Sequence, residues 1–343
     1  MRLIKKILKI TLFVISGIVL TLLVLLLYIS IRKDDKEIRK ENYEFNSSLS
    51  FDLEKYTQTI NIENEYQNIL VLTDIHLYGI FDNKVYKYVT KMVNEQSPDL
   101  IVLDGDQCFT PFNYSAYKNL IKFFDSFEIP WAPVFGNHDN FGKATKDKLS
   151  RMLTDSIYCI FQYGPSNLDS AGNYVVNLSY LGNVVHSLIL MDSNDKIGFT
   201  GNPSITKEQL EWYEWVIKGL QNTVNPNIKT TLFLHVPIPE FNNAYNYGIE
   251  NGSIIFGGKG EKTCSPKENI GLFDKIKELG STVSIVSGHD HLNCFSVDYE
   301  GVRFSYALHS GYGSYGSKKI MGCLVYKVYG NGDFGEVIIY YAG

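Results

Sequence analysis

The motif Gly136-Asn137-His138-Asp139 follows directly after the apolar run Trp131-Ala132-Pro133-Val134-Phe135. An apolar run that stops at polar residues predicts a buried strand whose carboxyl end carries the polar side chains. Open α/β sheets place their chemistry at such strand ends. This stretch therefore predicts a sheet edge at which functional side chains collect.

Four other apolar runs end in the same way. They lead into Asp74-Ile75-His76, Asp104-Gly105-Asp106, His235 and Gly288-His289-Asp290-His291. At least five of the seven histidines (positions 76, 138, 235, 289 and 291) thus follow directly after predicted strands. A random distribution of histidines would not give this pattern, so the sequence predicts that these side chains converge.

The first half of the chain predicts alternating strands and helices. The apolar runs give strands at 68–73, 100–103 and 131–135, and helical periodicity gives helices at 83–95 and 116–127. A β-α-β-α-β order of this kind predicts parallel strands joined by right-handed crossovers.

The second half adds hairpins to this pattern. The predicted helices are 143–153, 206–220 and 269–279; the predicted strands are 173–180, 184–192, 229–234 and 283–287, followed by several antiparallel strands within 294–341. Thr206 and Gln209 form a capping box at the start of one helix, and Gly280 ends another. Together the two halves indicate two packed sheets with helices outside.

The first forty residues differ from the rest of the chain. Residues 10–31 form an apolar run that would be about 33 Å long as a helix, which is enough to cross the hydrocarbon layer. The run is long for a cleavable signal peptide, the alternative interpretation, and is followed by no Ala-x-Ala pattern. We therefore expect an uncleaved transmembrane signal anchor.

This interpretation divides the chain into four parts. Residues 1–9 would be a cytoplasmic N-terminus, because their basic charge is undiluted. Residues 32–66 are polar without sustained periodicity and predict a stalk with a short strand near 50–53. Residues 67–343 would be an extracytoplasmic catalytic domain on a single-pass anchor.

The charge distribution excludes one class of partner. Residues 1–40 carry nine basic and three acidic residues, whereas the remainder carries 23 basic and 34 acidic residues, a net charge of −11. Nucleic-acid binders usually carry clustered Lys and Arg, so we expect no nucleic-acid partner. The five cysteines lack a Cys-x-x-Cys spacing, which predicts neither a zinc framework nor a disulfide-dense scaffold and leaves one disulfide possible.

The residue types at the strand ends indicate metal chemistry. Asp, His and Asn provide oxygen and nitrogen ligands that suit Mn, Fe or Zn. Eight such residues are too many for one ion and about right for two ions that share a carboxylate. Two ions about 3.5–4 Å apart activate a bridging water and hold the entering and leaving oxygens of a phosphoryl displacement.

The motifs resemble those of a known family. Asp74-x-His76, Gly105-Asp106, Gly136-Asn137-His138-Asp139, His235 and Gly288-His289-x-His291 are similar, in this order, to the motifs of calcineurin-like metallophosphoesterases. The residues around His235 and His291 resemble the purple-acid-phosphatase-like branch. The resemblance covers 67–343 and implies a four-layer αββα sandwich of two mixed sheets and a phosphoester hydrolase with two metal ions.

The resemblance also implies a role for each motif residue. The first metal ion would be bound by Asp74, His76, Asp106 and His291, and the second by Asp106, Asn137, His235 and His289. Asp106 would bridge the ions, and a hydroxide between them would attack phosphorus. His138 would stabilise the transition state or protonate the leaving oxygen.

Two residues depart from true purple acid phosphatases. Phe109 stands where those enzymes have a tyrosinate ligand, and His76 occupies a position at which they lack histidine. We therefore expect no tyrosinate-to-Fe(III) charge-transfer colour. In other branches a carboxylate at the position of Phe109 orients the catalytic histidine; here Asp104 or Asp139 would take that role.

Other residues and functions stay open at this point. Glu240, His309 and Tyr312 are candidate substrate contacts, with a cap for Glu240 and a plain loop for His309 as the alternatives. His186 lies within a strand and predicts a hydrogen-bonded core residue. Phosphomonoester and phosphodiester hydrolysis are equally compatible with the motifs, which also leave the oligomeric state open. The rival function is a non-catalytic cell-surface binding protein that keeps metal ions for structure.

Overall fold

Two mixed β-sheets, one of eight strands and one of five, form the centre of the protein. The computed structural model describes residues 9, 11, 13–21, 43–79, 82–195, 204–312, 314–316 and 320–340. From residue 43 onward, the helices are α1 (Leu53–Tyr56), α2 (Asn83–Gln96), α3 (Asn113–Asp125), α4 (Lys146–Thr154), α5 (Lys207–Thr223), α6 (Glu240–Asn251) and α7 (Leu272–Leu279). The strands are β1 (Thr57–Ile62), β2 (Tyr66–Leu72), β3 (Leu100–Asp104), β4 (Trp131–Val134), β5 (Tyr174–Tyr180), β6 (Asn183–Leu190), β7 (Lys229–Phe233), β8 (Ile254–Lys259), β9 (Thr282–Ser287), β10 (Asn293–Tyr299), β11 (Val302–Tyr306), β12 (Gly322–Tyr329) and β13 (Phe334–Tyr340).

The five-stranded sheet has the order β13-β12-β2-β3-β4. Strands β2, β3 and β4 run parallel, with α2 and α3 as crossovers, and every residue of β3 and β4 is buried. Strands that are buried on both faces consist of continuous apolar runs. For this reason β2, β3 and β4 could be predicted from the sequence. The predicted parallel β-α-β-α-β unit is therefore confirmed.

The eight-stranded sheet has the order β1-β5-β6-β7-β9-β11-β10-β8 and separates two cores. Leu188 and Leu190 on β6 face the core between the sheets, whereas Ile189 faces the core under helices α5, α6 and α7. This is the alternation expected of neighbouring strand residues. Thr231 and Tyr326 join the two sheets through hydroxyl groups 2.7 Å apart. The layers are thus helix, sheet, sheet and helix, as expected.

Local signals placed two helices correctly. The Thr206 side chain accepts from the Gln209 amide, and the Gln209 side chain accepts from the Thr206 amide, which completes the predicted capping box before α5. Gly280 ends α7 in a left-handed conformation with φ 68°. Helix α6 and strand β8 are absent from the sequence prediction. Helix α6 is rich in asparagine, a poor helix former, and is fixed by burial of Phe241 against the aromatic rings of Phe304 and Tyr306.

The predicted stalk at 32–66 is wrong from residue 43 onward, because residues 43–66 are packed into the domain. Strand β1 pairs in parallel with β5, and the short strand predicted near 50–53 is not formed; α1 begins at Leu53 instead. Three aromatic residues that precede β1 in the chain pack around the Trp215 ring on α5. The rings of Phe45, Phe51 and Tyr56 lie at centroid distances of 5.0–5.5 Å from it. We call residues 43–56 the N-terminal strap. The sequence did not predict this packing, because the aromatic residues of the strap follow neither a helical nor a strand period.

The predicted membrane anchor at 10–31 falls mostly outside the described residues. Residues 13–21 within it are helical. Among the helices of the described chain, none combines the length and apolar character needed to span a bilayer. The residues of the predicted cytoplasmic segment, apart from Lys9, are also outside the described part. All five cysteines are free thiols, so the optional disulfide is not formed.

Candidate metal centre

The polar residues after five strands meet where the two sheets adjoin. The five-stranded sheet contributes Asp74 and His76 after β2, Asp106 after β3, and Asn137 and His138 after β4; the eight-stranded sheet contributes His235 after β7 and His289 and His291 after β9. Asp74, His76, Asp106 and His289 have positive φ, between 50° and 76°. Non-glycine residues seldom adopt this conformation, and four of them lie together in this site.

Asp74, His76 and His291 form the first group of ligand atoms. Nε2 of His291 lies 3.1 Å from Oδ1 of Asp74 and 3.2 Å from Nε2 of His76. Nε2 of His76 is 3.6 Å from the same Asp74 oxygen. Each residue offers one donor atom, and all three atoms lie within 4.8 Å of one another. Two imidazoles and a carboxylate in this arrangement suit a divalent cation.

Asp106, His235 and His289 form the second group. Nε2 of His235 lies 3.4 Å from Oδ2 of Asp106. The same Asp106 oxygen lies 3.6 Å from Nε2 of His76 in the first group. The Asp106 carboxylate therefore lies between the groups, where a ligand shared by two ions would be.

Buried polar atoms without partners show that the residues fit metal ions. Nε2 of His235 and both side-chain atoms of the Asn137 amide are buried and have no hydrogen-bond partner among the described residues. Leaving a buried acceptor unsatisfied costs about 1–3 kcal/mol. Coordination through the Asn137 oxygen and the His235 nitrogen would offset that cost, so both atoms suit the second ion.

Hydrogen bonds on the far side of two rings fix which nitrogen faces the centre. Nδ1 of His235 is 2.7 Å from the carbonyl oxygen of Asp104, and Nδ1 of His291 is 2.6 Å from that of Tyr315. A carbonyl oxygen only accepts, so each Nδ1 carries the proton and each Nε2 keeps its lone pair. Such outer contacts orient metal-binding histidines and fix their tautomer.

Glycines make room for these side chains. Gly105 has φ 85°, and a Cβ atom there would lie 2.3 Å from Cγ of His235. A Cβ atom at Gly136 would lie 2.1 Å from Oδ1 of Asp106. The glycines in Gly105-Asp106 and Gly136-Asn137-His138-Asp139 are therefore required by close packing against ligands.

The carboxylates of the centre favour a positive charge on His235 and not on His289. Burial lowers the pKa of His235, but the Asp106 and Asp74 carboxylates outweigh it and raise that pKa to about 10. Burial raises the pKa of Asp106, but the charge of His235 dominates and holds that pKa below its usual range. Burial lowers the pKa of His289 to about 3. The carboxylates thus stabilise either a proton or a metal cation here, and the two compete.

His138 lies at the exposed side of the centre. Its backbone N–H donates to Oδ1 of Asp106 at 2.8 Å, and its Nε2 lies 3.9 Å from Oδ2 of the same carboxylate. Its side chain is 24% exposed, whereas those of Asp106 and His76 are 2% exposed. His138 is therefore half-buried and more accessible to solvent than Asp106 or His76.

The two aspartates proposed to orient His138 have other surroundings. The Asp139 carboxylate accepts from the amides of Cys108 (3.0 Å) and Gly136 (2.8 Å), which fastens the loop carrying His138. Both carboxyl oxygens of Asp104 are buried without a hydrogen-bond partner among the described residues. Burial raises the pKa of Asp104 to about 8, so a protonated side chain is favoured there at neutral pH.

The three candidate substrate contacts are placed differently. Glu240 is the first residue of α6, and its carboxylate accepts a hydrogen bond from the Asn269 side-chain amide at 2.6 Å. This local position fits the alternative of a helix cap better than a substrate contact. Tyr312 packs on Tyr88, at 4.9 Å between ring centroids, and on Lys84. His309 stacks on the His291 ring with centroids 5.4 Å apart, beside the ligands.

One residue that sequence reasoning missed is Tyr315. Its ring stacks on His291 at 4.3 Å with an interplanar angle of 2°, and its hydroxyl donates to Glu261 at 3.0 Å. The segment Gly311-Tyr312-Gly313-Ser314-Tyr315-Gly316 is recognisable as a glycine-rich loop, but nothing in it singles out Tyr315. His186 is a buried core residue, as expected, and bonds to the Thr231 hydroxyl at 2.9 Å.

A two-sheet α/β sandwich with two Asp/His groups at its strand ends is the architecture of a metallophosphoesterase fold. The chain belongs to the calcineurin-like phosphoesterase family, whose family model matches residues 67–293.

Named relatives agree with this family. The chain is 29% identical over 267 residues to the probable inactive purple acid phosphatase 14 of Arabidopsis thaliana, covering 68% of this chain and 64% of the relative. It is 28% identical over 229 residues to phosphatase DCR2 of Saccharomyces cerevisiae, covering 62% of this chain and 39% of the relative. The chain thus spans less than two thirds of the length of either relative.

A solved structure supports the fold alone. GAP50, the anchor in the inner membrane complex of Plasmodium, superposes with a TM-score of 0.51 at 13% identity, covering 81% of this chain and 85% of that chain. The purple-acid-phosphatase-like relatives and the family match confirm the resemblance noted in the sequence.

Proposed function

We propose that this chain is a membrane-anchored, extracytoplasmic phosphoester hydrolase with two metal ions. The observation that carries the proposal is the position of Asp106. Its carboxylate lies within 3.6 Å of His76 in one ligand group and 3.4 Å of His235 in the other. A carboxylate that lies between two ligand groups suits a ligand shared by two ions about 3.5–4 Å apart.

The chain's own residues would do three things in this reaction. Asp74, His76, Asp106 and His291 would hold one ion, and Asp106, Asn137, His235 and His289 the other. When bound, the ions supply Lewis-acid activation of water and neutralise charge on the phosphoryl oxygens. His138 would stabilise the transition state or give a proton to the departing oxygen, because it lies at the exposed side of the centre.

The proposed location rests on the sequence rather than on the described structure. The apolar run at 10–31 is long enough to span a bilayer as a helix, with basic residues before it. We infer that residues 1–9 are cytoplasmic and that the folded domain lies outside. Retention of the full chain in membranes after alkaline carbonate washing would support the anchor, and release into the supernatant would contradict it.

The catalytic proposal is tested by hydrolysis of chromogenic phosphomonoesters and phosphodiesters with Mn, Fe or Zn added. Asp106→Ala is expected to lose both bound metal and turnover. Asp274→Asn, which removes a carboxylate with a side chain that is 85% exposed on α7, is the matched control and retains both. An Asp106→Ala variant that loses metal and keeps its activity would overturn the mechanism. The ratio of the two activities decides between monoesterase and diesterase.

A second function is favoured by one specific observation. A relative of the chain is named a probable inactive purple acid phosphatase. A non-catalytic surface protein would keep the same ligands to bind metal for structural reasons. Bound metal together with no turnover on a broad panel of phosphoesters would favour that function over hydrolysis.

A further inference from the structure

A row of aromatic rings leads outward from the metal centre. The ring centroid of Phe109 lies 5.8 Å from that of the ligand His76 and 4.3 Å from that of His138. The Phe141 ring follows, with its centroid 5.0 Å from Phe109 in an edge-on arrangement. We call Phe109 and Phe141 the aromatic shelf. Both phenylalanines are fixed by the elements that carry the site, the turn after Asp106 and the 3-10 helix Asp139–Phe141.

The outer ring of the shelf is exposed. Phe141 is 50% exposed, while Phe109 is half-buried between the histidines and Phe141. Single exposed apolar residues are ordinary on protein surfaces. An exposed ring at the end of a row of edge-on and tilted rings that begins on a ligand-group histidine is a more specific feature, because it offers an apolar surface beside the metal centre.

The position of His138 indicates which part of a substrate would contact the aromatic shelf. His138 is a half-buried imidazole, 24% exposed, and in the proposed function the leaving oxygen is the atom that it would protonate. The group attached to that oxygen would extend from His138 toward solvent. The Phe109 ring lies 4.3 Å from His138, nearer than the His76 ring at 5.5 Å, so a group attached to an oxygen that His138 protonates would lie beside the shelf.

We propose that the aromatic shelf is a leaving-group subsite and that the substrate is a phosphoester of a planar aromatic alcohol, with the ring joined directly to the ester oxygen. This inference deepens the proposed function and rests on it. Offset or edge-on stacking of an aryl ring on Phe109 and Phe141 stabilises its bound state beyond simple apolar burial. A small alkyl leaving group would reach Phe109 and gain little from either ring.

The experiment compares two non-hydrolysable ligands by calorimetry on the Mn-loaded full chain. Benzylphosphonate and ethylphosphonate replace the ester oxygen of an aryl and an alkyl phosphate with CH₂. The expected result is tighter binding of benzylphosphonate by about tenfold, the size of a favourable aromatic pair. Equal affinities for the two ligands in the unsubstituted protein would overturn the proposal.

Variants assign the preference to the shelf. Phe141→Ala and Phe109→Leu, which keeps apolar bulk without a ring, are each expected to reduce the benzyl-to-ethyl ratio about three- to tenfold. Ile157→Ala removes an apolar side chain that is 86% exposed on another part of the surface and leaves the ratio unchanged. An unchanged ratio in Phe141→Ala and Phe109→Leu, with metal content intact, would overturn the subsite.

The failure of this inference is distinguishable from failure of the proposed function. Hydrolysis of phosphoesters without an aryl preference would refute the subsite and leave the hydrolase intact. A shelf-dependent aryl preference in ligand binding without hydrolysis would refute the hydrolase, and with it the leaving-group role, and would leave the shelf as a binding surface for aryl phosphonates.

Discussion

Oδ1 of Asp74 lies 3.1 Å from Nε2 of His291, although 217 residues separate them in the chain. Their strands belong to different sheets, so the first ligand group exists only when both sheets are in place. The other carboxylate oxygen of Asp74 accepts from the Thr73 hydroxyl and from the His289 amide. One oxygen of Asp74 thus faces the ligand group and the other ties the two sheets together.

Asp74→Asn is expected to remove one metal ion and leave the other. The amide keeps the size of the side chain and loses the charge that binds the cation, while the second group is unchanged. Metal analysis after gel filtration should give close to two ions per wild-type chain and one per variant chain. Asp274→Asn is the matched control; equal metal content in wild type and Asp74→Asn would contradict the assignment.

Tyr315→Ala is expected to weaken binding of the first ion by about 10–100-fold, the usual cost of losing an outer contact to a metal ligand. The variant removes the ring stacked on His291 and the hydroxyl that bonds to Glu261. Tyr315→Phe keeps the stacking and should bind metal nearly as tightly as wild type. Metal titration by calorimetry measures both, and equal affinity of the Ala and Phe variants would show that the stack has no positioning role.

Gly105→Ala is expected to disrupt the second ligand group, because its Cβ atom would lie 2.3 Å from Cγ of His235. Gly182→Ala is the control: Gly182 has a similar φ of 80°, and nothing lies within 4 Å of its Cβ position. Both variants should lose about 1–3 kcal/mol through backbone strain. Only Gly105→Ala should also lose metal. Equal metal content in both variants would refute the steric argument.

The metal ligands could be predicted because each lies directly after an apolar run. Strand ends such as Leu103-Asp104-Gly105-Asp106 are local patterns, and their convergence follows from the parallel arrangement of strands. The contact of Tyr315 with His291 has no local pattern, since it depends on the path of a loop. The sequence singled out Phe109 because it stands where true purple acid phosphatases have a tyrosine. The sequence did not predict the contact between Phe109 and Phe141.

The N-terminal strap shows the same limit for the fold. Phe45, Phe51 and Tyr56 are spaced irregularly, so neither a helical nor a strand period marks them. Their common partner is Trp215, more than 150 residues later in the sequence. Long-range aromatic packing decides the structure of this segment, and a reading of local periodicity cannot detect it.

Gly219→Ala is expected to loosen the strap. A Cβ atom at this position on α5 would lie 2.2 Å from Cγ of Phe51. Alanine favours a helix over glycine by about 1 kcal/mol, and overpacking costs about 1–3 kcal/mol, so the net change is destabilising. Thermal unfolding and limited proteolysis within residues 43–56 measure the effect.

The Phe51→Ala background supplies the control for that variant. Without the ring, the added methyl group meets no obstacle and only the helix preference remains. Gly219→Ala should then be neutral or stabilising. A loss of stability of the same size in both backgrounds would show that the strap is not what Gly219 accommodates.

His186 is expected to make the folded state sensitive to acid. Burial lowers its pKa from 6.5 to about 4, and it bonds to the Thr231 hydroxyl and the Gly332 carbonyl. The unfolded chain therefore binds a proton that the folded chain rejects between these values, so stability is complete above pH 6.5 and falls as the pH is lowered toward 4. From pH 7.5 to 5 the loss attributable to His186 should be about 2 kcal/mol.

Urea unfolding of wild type and His186→Gln at each pH isolates this contribution. Glutamine is neutral throughout and keeps a donor and an acceptor, whereas the other titrating groups are common to both proteins. The difference in unfolding free energy between wild type and variant should shift by about 2 kcal/mol against wild type from pH 7.5 to 5. A difference that stays constant over this range would mean that His186 is not held neutral by its burial, since only a group with unequal pKa values in the two states changes stability with pH.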